Sequence, residues 1–214
     1  MCSSDLGTMQ PVTVLAIGSV QMPVLIDSGS SSGLSVTPDV ARGLAFSHGP
    51  VDWFLARSAG ADYRPRVGRL ALDALLGHQV FERPVIRIVP APREARMGAE
   101  ALALFTVTFD RRQNVVRFVR DTRDPIRSPP VRTTGIAFRN GPEGIVVSDV
   151  IPGTPAAALD IQRGDRLVAV EGHTPAEFLA QAGARIAELK ELGLGLLRGG
   201  QVIEVRVPVV DLVP

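Results

Sequence analysis

The first forty residues alternate between apolar runs and short polar breaks in a β-hairpin pattern. Val12-Thr13-Val14-Leu15-Ala16 and the run from Met22 to Ile26 lie either side of a Gly18-Ser19 turn, and apolar or β-branched runs around a short glycine-containing connection predict two antiparallel strands. The second strand ends on Pro23-Val24-Leu25-Ile26 and delivers Asp27 into a polar loop. Leu34-Ser35-Val36 then reads as a short strand. Thr37-Pro38-Asp39-Val40-Ala41-Arg42-Gly43 reads as a short helix, with Thr37 as N-cap, Pro38 in the first turn and Gly43 as the stop.

A second hairpin is predicted from Leu70 to Leu76 and from Val80 to Val89 around Gly77-His78, because Pro84-Val85-Ile86-Arg87-Ile88-Val89 alternates partly between apolar and polar. Met97-Gly98-Ala99 then leads through an alanine- and leucine-rich stretch to Phe105. Thr106-Val107-Thr108-Phe109-Asp110 and Asn114-Val115-Val116-Arg117-Phe118 follow as strands across a polar turn. Beyond residue 133 the pattern repeats in a different order. Short apolar strands at Gly135 to Phe138, Gly144 to Val150 and Arg166 to Val170 are separated by Gly/Pro turns, and Arg163-Gly164-Asp165 supplies the turn before a buried strand. A helix is predicted from Pro175 to Leu189, opened by Thr174 and Pro175, and Gln201 to Val207 is an alternating strand.

Between these halves, residues 121–132 are rich in proline and arginine and read as a fairly extended linker with a solvated basic surface. With 214 residues and 45% hydrophobic content, the chain can build one or two cores. A net charge of +1 and 5% aromatics, with no aromatic-basic or finger spacing, argue against a nucleic-acid partner. The single Cys2 excludes an internal disulfide framework, and His48, His78 and His173 are too dispersed for a zinc peptidase, so no metal or cofactor is expected. No apolar run reaches the length of a membrane-spanning helix, and no basic region followed by a long apolar stretch marks a signal peptide. Residues 1–8, beginning Met1-Cys2-Ser3-Ser4-Asp5-Leu6, read as an appended scar or fragment edge.

The candidate chemistry sits in Asp27-Ser28-Gly29-Ser30. A hydroxyl residue and a glycine directly after an Asp suit a working carboxylate: the glycine lets the backbone turn closely, and hydroxyl and amide groups hydrogen-bond the ionised form. As a structural alternative, the same tripeptide is ordinary turn chemistry. Gly29-Ser30-Ser31-Ser32-Gly33 also satisfies the Gly-x-Ser-x-Gly pattern of a serine hydrolase, but no parallel βαβ series surrounds it.

Taken in order, the hairpin, the acid loop at Asp27-Ser28-Gly29 and the apolar-glycine pair Met97-Gly98 before a short helix resemble the retropepsin-like aspartic peptidases over residues 9–120. The resemblance implies an acid-protease β-barrel lobe with Asp27 catalytic, supported by Ser28, Gly29, Ser30, Met97 and Gly98. It also implies a flap built from the stretch Phe54 to Arg64 with Gly60 near its tip. No other Asp is followed by Ser-Gly or Thr-Gly, whereas the reaction uses two carboxylates sharing one proton. The second lobe is therefore expected from a homodimer mate or from a preceding lobe absent from this chain, and without it a single chain is an inactive half-enzyme. In similar bacterial proteins such a lobe is joined to a PDZ domain, and by that resemblance an extracytoplasmic location is expected.

Residues 133–214 resemble a PDZ domain, through the ordered motifs at Gly135-Ile136-Ala137-Phe138, Gly144 to Val150, Pro152-Gly153-Thr154-Pro155-Ala156-Ala157 and Gln162 to Gly172. The resemblance implies an α+β domain that takes a peptide as an added strand, with Gly135, Ile136, Ala137 and Phe138 as its carboxylate-binding loop. The fold class expected for the whole chain is thus mainly β with short helices. The function expected is an aspartic endopeptidase acting on peptides or proteins, with a peptide-binding domain for capture or regulation. The alternative is a non-catalytic peptide-binding scaffold.

Overall fold

The computed structural model describes residues 11–58, 61–90, 94–182 and 189–214. It is mainly β, with four short helices among the described residues, and it divides into two compact units. The first takes residues 1–51, 56–129 and 213–214; the second takes 52–55 and 130–212.

In the first unit, β1 (Val12–Ile17) and β2 (Val20–Asp27) form the expected hairpin, with Val12 opposite Leu25 and Ile17 opposite Val20. Then come β3 (Leu34–Val36) and α1 (Pro38–Ala41). Thr37 Oγ1 accepts from Val40 N at 3.3 Å, which satisfies one of the orphan amides that open a helix. β4 (Phe46–Asp52) was not foreseen, because Ser47, His48, Gly49 and Pro50 leave no apolar alternation to read; it lies at the end of the sheet, where a residue without an N–H leaves no ladder position empty.

β5 (Ala56–Ser58) and β6 (Ala61–Tyr63) pair as a hairpin, with Arg57 opposite Asp62 and a 2.8 Å ion pair between them. Gly60, expected at the flap tip, lies outside the described residues. The expected hairpin strand from Phe54 starts instead at Ala56. Residues 52–55 group with the second unit, where Leu55 N donates to the buried Asp149 Oδ2 at 2.8 Å and the Trp53 and Phe54 rings meet edge to face.

The hairpin expected over residues 70–89 is broken into four strands: β7 (Arg66–Leu70), β8 (Ala74–Leu76), β9 (Gln79–Glu82) and β10 (Val85–Ile88). Only β8 and β9 pair across Gly77-His78. Asp73 pulls the chain into a turn by accepting from Arg83 N at 2.9 Å, and Pro84 cannot donate to a ladder, so neither long run stays continuous. β11 (Ala95–Gly98), a strand the pattern did not predict, leads into α2 (Ala99–Leu102), the short helix the resemblance implies, and β12 (Thr106–Asp110) and β13 (Val115–Val119) follow as the pattern predicts. Part of the segment read as a linker also pairs: β14 (Ile126–Arg127) lies parallel to β9 and buries Ile126.

The ten-stranded sheet runs β14-β9-β8-β1-β2-β11-β3-β10-β7-β4. Leu15, Val24, Val36, Leu70, Leu76, Ile86 and Met97 are among the side chains of its core. β2 and β11 are parallel neighbours, and β11 is antiparallel to β3. Two strands remote in sequence thereby end side by side, which positions the acid loop.

The second unit holds β15 (Val131–Thr133), β16 (Ile136–Gly141), β17 (Gly144–Val150), α3 (Pro155–Ala158), β18 (Arg166–Val170), α4 (Pro175–Ala182), β19 (Glu191–Arg198), β20 (Gln201–Pro208) and β21 (Val210–Val213). Its main sheet runs β16-β17-β18-β19-β20, around a core that includes Ile136, Val147, Leu167, Leu196 and Val207. α4 begins with a capping box: Thr174 N donates to Glu177 Oε2 at 2.9 Å and Glu177 N donates to Thr174 Oγ1 at 3.3 Å. Residues 183–188, the remainder of the helix predicted to Leu189, lie outside the described residues. β19 was missed altogether. Its Leu192, Leu194 and Leu196 alternate with Gly193 and Gly195, and β-strand preference is low for glycine even where the period of two is present. Among the described residues, no helix is long and apolar enough to cross a membrane.

Candidate functional site

Asp27 is the last residue of β2, in register with Gly98 at the end of β11. The two following loops are laced together by the main chain: Gly98 N donates to Gly33 O at 2.8 Å, Ala99 N to Ser30 O at 2.7 Å, and Ser30 N to Asp27 O at 3.1 Å. Gly98 has an ordinary φ of −92°, so its requirement for glycine is spatial. A β-carbon there would lie 2.1 Å from Ser32 O and 2.7 Å from Ser30 O. The structure therefore brings Asp27, Ser30 and Gly98 into one cradle, with Met97 fully buried behind it. Ser28 and Gly29 are exposed on the loop, while Ser30 Oγ and Ser32 Oγ hydrogen-bond each other at 2.8 Å.

Both oxygens of the Asp27 carboxylate are engaged. Oδ1 accepts from Gly29 N at 3.0 Å, a main-chain donor two residues on, and a β-carbon at Gly29 would crowd the same oxygen at 3.3 Å. Oδ2 accepts from Arg96 NH1 at 2.6 Å, an ion pair in which the two side chains are only 22% and 24% exposed. Sequence reading missed Arg96. Its only signal was its place beside the Met97-Gly98 pair, which gives no indication that β11 lies against β2.

In the second unit, β16 stands at one end of the sheet order, so one of its edges has no strand neighbour among the described residues. Such an edge is where an extended peptide adds main-chain hydrogen bonds. Gly135 precedes it with φ +84°, a left-handed conformation that disfavours a side chain, and a β-carbon there would lie 2.1 Å from Thr154 Oγ1. Gly135 O accepts from Ile151 N at 2.8 Å. Gly135 N donates to Thr133 Oγ1 at 2.9 Å and Ile136 N to Thr134 Oγ1 at 3.4 Å, so an incoming carboxylate competes with two hydroxyls for these donors. Ile136 is buried; Ala137 and Phe138 are half-buried, and Phe138 packs on the same core as Phe178 of α4. Gly135→Ala is expected to cost about 1–2 kcal/mol from the backbone conformation alone, and more from the collision with Thr154. Thermal unfolding and titration with a C-terminal peptide check this, and an unchanged melting temperature with unchanged binding contradicts it.

The turn residue Asp165 does more than the sequence suggests. It is 2% exposed and takes a two-pronged contact from Arg198, Nε to Oδ1 and NH2 to Oδ2, each at 2.7 Å, plus Gln162 N at 2.9 Å. The Arg198 hydrogen bond, opposed by burial, holds this carboxyl below its ordinary value of 3.8, and the same pairing raises Arg198. A depressed folded-state value means stability that is present above pH ~4 and lost as pH falls through the folded-state value. The second unit is expected to weaken on acidification in that window. Arg198→Met, which strands a buried carboxylate, is expected to cost roughly 3 kcal/mol at neutral pH and to flatten the acid dependence. Urea unfolding between pH 2 and 7 measures both effects.

Residues 127–195 match the family model of the PDZ domain. No curated protein matches the chain. Among solved structures, the chain is similar to that of a retropepsin-like aspartic protease from Rickettsia conorii, at 14% identity and a TM-score of 0.36, covering 51% of this chain and 82% of the other. It is also similar to the HtrA-type protease AlgW with decapeptide, at 12% identity and a TM-score of 0.31, covering 95% of this chain and 75% of the other.

Proposed function

With a PDZ domain, and hence a peptide-binding role, in the C-terminal part of the chain, we propose that the N-terminal unit is the lobe of an aspartic endopeptidase in which Asp27 is catalytic. The observation that carries this reading is the acid loop itself: Asp27 stands at a strand end, in register with a glycine that no other residue can replace without displacing the loop. One lobe supplies one such carboxylate. The second comes from another lobe, either the Asp27 of a second copy or an acid loop elsewhere, and the two face each other across a water with one proton between them.

In that arrangement the ionised carboxylate takes a proton from water as the water oxygen bonds to the peptide carbonyl carbon. The protonated carboxyl polarises the carbonyl oxygen. The C–N bond then breaks, and a proton passes from the carboxyl pair to the departing nitrogen. The β5–β6 hairpin is the segment for a flap that excludes water, and the free edge of β16 captures a peptide end or controls access. Peptide binding without turnover is the second reading. It is favoured by the Asp27–Arg96 ion pair, which already occupies the carboxylate.

The test is cleavage of a mixed unfolded-peptide pool from mildly acidic to neutral pH over a wide range of chain concentration. If two copies each donate Asp27, activity rises faster than linearly with concentration. Tight binding of C-terminal peptides with no cleavage under any condition supports the second reading.

A further inference from the structure

Arg96 is half-buried, with its side chain 24% exposed. Its backbone lies in the middle of the sheet, opposite Leu25 of β2 and Ser35 of β3, so its position is set by two ladders. Its Nε is buried and makes no hydrogen bond among the described residues, an arrangement that costs stability. Glu94 Oε2 is 3.8 Å from NH2, and the closest contact of the head group is NH1 to Asp27 Oδ2 at 2.6 Å. A residue that gives up a hydrogen bond at Nε while aiming NH1 at one carboxylate is placed for that carboxylate.

We infer that Arg96 is a positioning residue that orients the Asp27 carboxylate, an inference that rests on the peptidase reading. A guanidinium and a backbone amide are both donors that cannot accept. With Gly29 N on Oδ1 and Arg96 NH1 on Oδ2, the carboxylate plane is fixed from two sides, and each oxygen keeps a lone pair for the attacking water.

The experiment compares the unsubstituted chain, assembled with whatever lobe supplies the second carboxylate, with Arg96→Met, Arg96→Lys and Asp27→Asn in steady-state cleavage, with melting temperatures recorded for each. Arg96→Met is expected to lower kcat by about 10–100-fold with KM changed less than about twofold, the signature of a lost transition-state contact. Arg96→Lys, which keeps a cationic donor, is expected to recover most of that loss, and it serves as the decisive variant if Arg96→Met does not fold. A kcat for Arg96→Met equal to or above the parent's overturns the inference, the latter because the contact would then be a block on Asp27. Lysine behaving no better than methionine overturns it too. If Asp27→Asn cleaves as the unsubstituted chain does, or no assembly that supplies a second carboxylate cleaves, the peptidase reading fails and takes the inference with it.

Discussion

Replacing Asp27 by Asn is expected to lower peptide cleavage by about 10²–10⁴-fold, the range by which a positioned acid or base accelerates proton transfer. The change is nearly isosteric. An amide oxygen at the Oδ1 position still accepts from Gly29 N, so the acid loop keeps its turn. What is lost is the charge that, in the proposed mechanism, takes a proton from water, together with the ion pair to Arg96. Peptide capture, proposed for the PDZ domain of the other unit, is expected to be unaffected. The measurement is turnover of a fluorogenic peptide pool alongside binding of a C-terminal peptide to the same samples. Equal turnover in variant and parent would remove Asp27 from the mechanism, whatever the origin of the cleavage.

Gly98→Ala is expected to be the most damaging single substitution in the first unit. A β-carbon 2.1 Å from Ser32 O and 2.7 Å from Ser30 O cannot be accommodated by rotating a side chain, because both obstacles are main-chain carbonyls. Overpacking of this kind costs about 3 kcal/mol or more. Relief would require breaking the hydrogen bonds from Gly98 N to Gly33 O and from Ala99 N to Ser30 O, which hold the acid loop against β11. The expected result is a lower unfolding midpoint and loss of cleavage in whatever fraction stays folded. Gly33→Ala is the matched control: its β-carbon would come no closer than 3.6 Å to the Glu100 side chain, and a much smaller effect is expected. Equal destabilisation by the two substitutions would contradict the assignment of Gly98 as the fixed point of the loop.

Local features were legible before any fold was known. The β1–β2 hairpin, the Thr37 cap with Pro38 and the β12–β13 pair were readable because each is decided by neighbours a few residues apart. The motif order of the PDZ domain was equally readable, since its strands are short and its turns carry Gly and Pro. Reading failed where an apolar run was interrupted for reasons outside itself: Asp73 bending the chain toward Arg83, and Pro84 ending a ladder. It failed again at β19, where alternating leucine and glycine becomes a strand only because β18 and β20 flank it.

By itself, then, the sequence determined where strands, turns and caps begin and which residue, Asp27, carries the candidate acid, because periodicity, capping and turn chemistry act over a few bonds. Only the tertiary structure decided what that acid touches. The parallel pairing of β2 with β11 brings Arg96 to Asp27 across 69 positions of chain and sets Gly98 beside the carbonyls of Ser30 and Ser32. It likewise decided that residues 52–55 belong with the second unit and that Asp165 meets Arg198. Contacts of this kind arise when remote segments are driven together by burial of a shared core, and no local pattern encodes which polar groups will then find themselves within reach of one another.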